Sequence, residues 1–170
     1  MHRAIKLLLC SLLSALCVGV TLSAYAVDRG SPAPQIRLPG RAGNVDLAGL
    51  KGRVVFVDFW ASWCVPCRHS FPWMNEMQAK FGPHGFQIVA VNVDANRADA
   101  DAFLAKVPAQ FTIAFDSQGA TPRAYGVKGM PTSVLIGADG QVVYRHVGFR
   151  DDDRPRLEAA IAAAMAKAGL

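Results

Sequence analysis

The run Val54 to Phe59 is nearly all β-branched or aromatic, and three residues later the chain reads Trp63-Cys64-Val65-Pro66-Cys67. An unbroken apolar run of this kind has the look of a strand buried on both faces, which needs neighbouring strands beside it and cover above and below. A second such run, Ile88 to Val93, follows one helix-length downstream. Between them, Cys67 to Phe81 sets Phe71, Met74, Met77 or Gln78, and Phe81 at helical spacing, with Gly82 to Gly85 ending the helix. Pro72 is expected to kink it, because proline removes a backbone donor and clashes with the preceding turn.

The rest of the chain continues the alternation. Gly40 to Gly43 reads as a turn and Val45-Asp46-Leu47 as a short strand. Asn96 to Lys106 reads as a helix with Phe103 and Leu104 inward, Phe111 to Phe115 as a third strand, and Thr121 to Tyr125 as a short helix. Ser133 to Ile136 and Gln141 to His146 flank an Asp139-Gly140 hairpin signal. Asp151 to Leu170 has Pro155 in its first turn and Leu157, Ile161 and Met165 along one stripe, the pattern of a capped amphipathic helix. Strands alternating with helices, then a hairpin and a terminal helix, predict an α/β fold with a mixed central sheet flanked by helices on both faces.

The first 26 residues stand apart. Arg3 and Lys6 precede an apolar run from Leu7 to about Leu22, and Ala24-Tyr25-Ala26 supplies a small-residue cleavage site, the pattern of a secretory signal peptide cut before Val27. An uncleaved anchor over residues 7–24 is the alternative, since the run is close to the roughly 18 residues that let a helix span a bilayer. Residues 27–170 are then one domain, long enough for a real core. Of the 18 basic residues two fall in the leader, and the others are scattered rather than gathered into runs, so nucleic-acid binding is not expected.

With the leader set aside, Cys64 and Cys67 are the only cysteines left. Two cysteines three apart at the start of a helix can close a small disulfide with little rearrangement of the fold. A thiol there faces unpaired backbone N–H groups and the positive end of the helix dipole. Such surroundings favour thiolate, lowering a cysteine pKa from about 8.5 to roughly 3.5–7.5 in motifs of this kind. In an exported chain the pair reads as a reversible redox centre. Cys64, Cys67 and His69 could instead hold copper or zinc, but a structural zinc site wants four ligands and no further cysteine is on offer.

The stretch Val57-Asp58-Phe59-Trp60-Ala61-Ser62-Trp63-Cys64-Val65-Pro66-Cys67 resembles the active-site strand and turn of thioredoxins, and Gly129-Met130-Pro131-Thr132 matches that family's second landmark, a proline that is cis in the thioredoxin fold. The opening Ser31-Pro32-Ala33-Pro34, the additional helix at Asn96 to Lys106 and the run from Phe115 to Thr132 are together similar to TlpA/ResA-like periplasmic thiol-disulfide oxidoreductases. The resemblance covers about Ser31 to Met165. It implies a thioredoxin fold with an N-terminal β-hairpin and an inserted helix, no cofactor beyond a redox-active Cys64–Cys67 disulfide, and a monomer working in the periplasm.

Roles follow from the same resemblance and from the chemistry of exchange. Cys64, at the exposed end of the motif, attacks a substrate disulfide; Cys67, deeper, attacks Cys64 and releases the reduced product. Asp58, on the strand beneath, takes the Cys67 proton, as a buried carboxyl with a raised pKa is able to do. Trp63, Pro66, Met130 and Pro131 line the substrate groove, Trp60 belongs to the core, and Trp73 is ambiguous. Two departures stand out: Ser70 replaces a glutamate frequent in that branch, and the thioredoxin lysine beside the buried acid aligns with Ala90.

The Val65-Pro66 dipeptide holds no positive group to stabilise a Cys64 thiolate, and Asp58 adds negative charge, so the disulfide is favoured and the dithiol is an electron donor. Potentials on this fold span about −270 to about −120 mV, roughly 7 kcal/mol, so the direction is a real distinction. A reductant in an oxidising compartment implies exported protein substrates and a membrane thiol carrier of the DsbD/CcdA type as its electron source. The rival readings are a copper-binding assembly factor, a DsbA-like oxidase and, against the paired motif, a peroxidase.

Overall fold

The computed structural model describes residues 27–170, so the expected export segment and its alternative as an anchor lie outside the described residues. Among the described residues no helix is long and apolar enough to cross a membrane. The chain opens with a small antiparallel hairpin, β1 (Arg37–Pro39) and β2 (Asn44–Asp46). The two apolar runs become β3 (Val54–Trp60) and β4 (Phe86–Asn92), joined by α1 (Val65–Phe81). Then follow α2 (Arg97–Lys106), β5 (Thr112–Phe115), α3 (Ala120–Ala124), β6 (Thr132–Ile136), β7 (Val142–Val147) and α4 (Arg154–Ala168).

The five long strands form one mixed sheet in the order β5-β4-β3-β6-β7. β3, β4 and β5 are parallel, and β6 and β7 are antiparallel to their neighbours. β3 is central and buried along its whole length, as its continuous apolar run requires. Its side chains alternate between two cores. Val54, Phe56 and Trp60 pack with residues of α1, α2 and α4, whereas Val55, Val57 and Phe59 pack with Ile36, Val45, Leu47 and Tyr125. Three helices therefore share one side, and the N-terminal segment with the short α3 covers the other.

That N-terminal segment is fastened at both edges of the sheet, through Pro32 beside Gln141 and Gly40 beside Ala114. Gly40 has no room for a side chain: a Cβ there would lie 2.7 Å from the Gly43 carbonyl and 2.9 Å from the Ile113 carbonyl. Tyr125 ties the middle of the segment down, its hydroxyl donating to the Pro34 carbonyl at 2.7 Å.

Element boundaries differ from expectation in small, physical ways. β2 stops at Asp46 because that side chain accepts from the Ala48 amide and starts a 3-10 turn, Leu47–Leu50. α1 starts at Val65 rather than Cys67, with Pro66 in its first turn, where the missing N–H would have no helical partner anyway. The helix continues as one element through Pro72, which lies on its exposed side together with Arg68, whose carbonyl loses its donor. Trp73, ambiguous in the sequence, is core: it meets Phe56 edge-on and Phe149 on its other side.

Candidate active site

The motif sits where β3 hands over to α1. After Trp60 the chain turns through Ala61-Ser62-Trp63, and Cys64 becomes the N-cap of α1. This turn is held by Asp94 just beyond β4, whose carboxylate accepts from the Ser62 amide at 2.9 Å, from the Ser62 hydroxyl at 3.1 Å and from the Asn92 side-chain amide at 2.8 Å. The sequence offered no sign of that brace, because Ser62 and Asp94 are 32 residues apart.

Cys64 and Cys67 form a disulfide, and the Cys67 amide donates to Cys64 Sγ at 3.2 Å. The first turn of a 17-residue helix thus points the Cys67 N–H, and the positive end of its dipole, at the sulfur that would carry negative charge after reduction. Cys64 is the more accessible cysteine only in rank: 4% of it is exposed, against 0% of Cys67. The exposed surface belongs instead to its neighbours, Trp63 at 70% and Val65 at 66%. Val147, at the end of β7 and paired with Thr132, is 60% exposed. Apart from the C-terminal Leu170, these three are the exposed large hydrophobic side chains among the described residues.

Pro131 follows a cis peptide bond from Met130 and is buried, and its carbonyl accepts from the Gly148 amide at 2.8 Å. Thr132 pairs with Phe59, so Pro131 lies at the end of the sheet from which the disulfide turn leaves. Met130 packs, partly buried, on the hydrophobic cluster that contains both cysteines. Pro66 is exposed beside the motif and edges a groove whose other wall comes from β7 and the lead into α4.

Asp58 is buried in the middle of β3, on the sheet face that Phe56 and Trp60 share with α1. Burial pushes its carboxyl up to about 7, against a hydrogen bond from Ser133 that pulls it down. The Ser133 hydroxyl donates to Asp58 Oδ1 at 2.7 Å, while Oδ2 has no partner among the protein atoms. Register explains the pairing: Asp58 stands opposite Ser133 on β6 and beside Ala90 on β4, so the lysine side is empty and the serine side is filled. Ser133 is the residue that sequence reasoning missed, since only strand register brings it to Asp58. His69 is exposed in the second turn of α1, and His84 is exposed just past the far end of that helix. Among the described residues no group of three or more His, Cys, Asp or Glu is placed to hold a metal ion.

The redoxin family pattern matches residues 28–161. The thiol-disulfide oxidoreductase ResA of Bacillus subtilis (strain 168) is 34% identical over 137 residues, covering 80% of this chain and 76% of that protein. ResA of Geobacillus thermodenitrificans (strain NG80-2) is 34% identical over 137 residues, covering 79% of each. A Chlorobium tepidum crystal structure described as a thiol:disulfide interchange protein, DsbE, is 60% identical with a TM-score of 0.81, and the match takes in 82% of this chain and 99% of that one. A second Chlorobium tepidum structure, a thiol:disulfide interchange protein of the thioredoxin family, is 26% identical with a TM-score of 0.71, covering 81% and 98%.

Proposed function

The chain belongs to the redoxin family and is a thiol-disulfide oxidoreductase similar to ResA, and on that premise we propose that it reduces disulfides of exported proteins with the Cys64/Cys67 dithiol. The observation that carries the direction is the setting of the disulfide. Asp58 is buried on the sheet face beneath it with Ser133 as its hydrogen-bond partner and no cation in register beside it, and the Val65-Pro66 turn brings no charge. An anion in this setting gains only the helix terminus, so the dithiol gives up its electrons readily.

Cys64 thiolate attacks one sulfur of the substrate disulfide, forming a mixed disulfide and releasing the other sulfur as a thiolate. Asp58 carboxylate takes the proton of Cys67; the Cys67 thiolate attacks Cys64 Sγ, closes the Cys64–Cys67 disulfide and expels the second substrate sulfur. Two electrons pass from the dithiol to the substrate, whose thiolates take protons from solvent. Trp63, Pro66, Met130 and Pro131 form the substrate surface, and the exposed Trp63, Val65 and Val147 give it an apolar rim suited to an extended, unfolded segment.

This work is assigned to the periplasm, with assembly of cytochrome c or cytochrome oxidase as the kind of task served. The protein acts as a monomer, with no nucleic acid and no cofactor besides its own disulfide, and a DsbD/CcdA-type membrane thiol carrier returns it to the dithiol state. Equilibration of the Cys64/Cys67 couple with dithiothreitol or glutathione buffers tests the direction. A potential near that of thioredoxin supports the reductant, and one near that of DsbA overturns it. Cys67→Ala should accumulate mixed disulfides through Cys64 in cells; capture of none would favour the copper-binding reading.

A further inference from the structure

The groove beside Pro66 carries side chains that the exchange of disulfides does not use. It encloses about 500 Å³ between the start of α1, the end of β7 and the lead into α4. Its lining is divided: Val147 and Phe149 are apolar, whereas His146, Arg150, Asp153 and Arg156 are polar. Pro66 stands between the two cysteines, and Gly148, also in the lining, donates its amide to the Pro131 carbonyl at 2.8 Å, so the groove adjoins the redox site. At about 3.3 Å per residue, an extended chain whose cysteine meets Cys64 reaches the groove within about two to four residues.

The polar half is held together by its own contacts. His146 is nine-tenths buried, and one terminal nitrogen of Arg156 lies 3.4 Å from its Nδ1 and 2.9 Å from Asp153 Oδ1. A guanidinium only donates, so Nδ1 accepts and the imidazole proton sits on Nε2, which faces Asp153 Oδ2 at 3.3 Å. Asp153 also accepts from the Arg150 amide at 2.9 Å. Arg156 is thus fixed through one nitrogen, while its side chain, 61% exposed, keeps further donors for another partner. Arg150 is exposed, and no ion pair takes its side chain among the described residues. Two guanidiniums therefore face one carboxylate, a surplus of one positive charge. Of the neighbouring acids, Asp151 is paired with Arg154 at 3.1 Å, and neither it nor Asp152 lines the groove.

We propose that this groove is a specificity subsite for the substrate chain: it takes an aspartate or glutamate side chain lying within about two to four residues of the cysteine that Cys64 attacks. Arg150 and Arg156 receive the carboxylate, and an apolar neighbour in the segment packs on Val147. This rests on the reading of the protein as a reductant of protein disulfides, and it names the class of segment that reductant prefers. Because Asp153 and His146 fix Arg156 before the substrate arrives, little side-chain freedom is lost on binding. A lysine in the same place meets like charge, so the groove discriminates by sign. The chemistry at the sulfurs is unchanged; the subsite decides which segments are held beside them.

The test is the rate at which the reduced full chain reacts with short peptides whose single cysteine is held as its methyl disulfide, measured by stopped flow at fixed pH. The peptides differ only in carrying Glu, Gln or Lys at one position, moved through about two to four residues on either side of the cysteine. At the position that reaches the groove, Glu is expected to react about three- to fivefold faster than Gln, the worth of a partly exposed ion pair, and Lys more slowly than Gln. About 1 M salt should erase the difference. Arg150→Glu should reverse the order, so that the Lys peptide becomes the best; an arginine with a merely structural role would slow all three alike. If the three peptides react equally at every position, or their order survives Arg150→Glu, the subsite is overturned. If no peptide reacts while dithiothreitol still exchanges with the disulfide, the reductant reading itself fails and the subsite falls with it.

Discussion

Asp58 makes the stability of this protein depend on pH in a direction opposite to that of most carboxylates. Its pKa is raised from 3.8 to about 7, so between those values the folded state holds a proton that the unfolded chain has released. Stability from this group is therefore complete below pH 4 and is lost as pH rises through 7, by about 4 kcal/mol in all. Asp58→Asn is expected to remove this loss: urea melts should show the variant stabilised at pH 9, with little difference at pH 4. Tyr125 is also shifted upward by burial, but it stays neutral throughout that range. Cys64, Cys67, Asp58 and Pro131 were legible in the sequence because each lies in or next to a short motif whose spacing carries chemistry. Ser133 and Asp94 were not, because a serine 75 residues from Asp58 and an aspartate 32 residues from Ser62 meet their partners only through strand register and a turn.

The turn after β3 and the strap at the sheet edge are the elements whose loss should be felt most. Asp94 satisfies both the amide and the hydroxyl of Ser62, so Asp94→Ala strips the disulfide turn of its brace. Stability is expected to fall by about 1–3 kcal/mol, the cost of leaving buried donors unpaired, and hydrogen exchange should quicken at Ser62 and Trp63. Gly40→Ala has a different cause: the new methyl would strike two backbone carbonyls, and the strap must lift from β5. A loss of about 1–3 kcal/mol, read as a lower urea midpoint, is expected, with the disulfide exchange rate unchanged because the strap covers the other face. Elements were read well where apolar runs were long and pure, as in β3 and β4. The placing of α2 and α4 on one side and of the strap on the other was not legible. It depends on which face of β3 each residue occupies, and a fully buried strand does not advertise its faces.

Among the described residues of the molecule, three of the four exposed large hydrophobic side chains belong to the turn after β3, the start of α1 and the end of β7. Trp63, Val65 and Val147 come from the turn, the helix start and the last strand, and Val147 reaches this end because β7 ends beside Pro131 and lines a groove with Pro66. Replacing Trp63 with Ala or Val147 with Asp is expected to raise KM for an unfolded protein substrate several-fold. Exchange with dithiothreitol, too small to reach the rim, should keep its rate; equal loss with both would show that the rim supports the disulfide itself. At the opposite pole, residues 30–33 are hydrogen-bonded to Gly140 and Val142, at the turn-side end of β7. The chain therefore enters the fold about the length of a strand, some 20 Å, from the disulfide. Any surface to which residue 27 is coupled, a bead or a sensor chip, would hold the protein by its base and leave the reactive pole turned outward, so orientation in such a device comes with the topology.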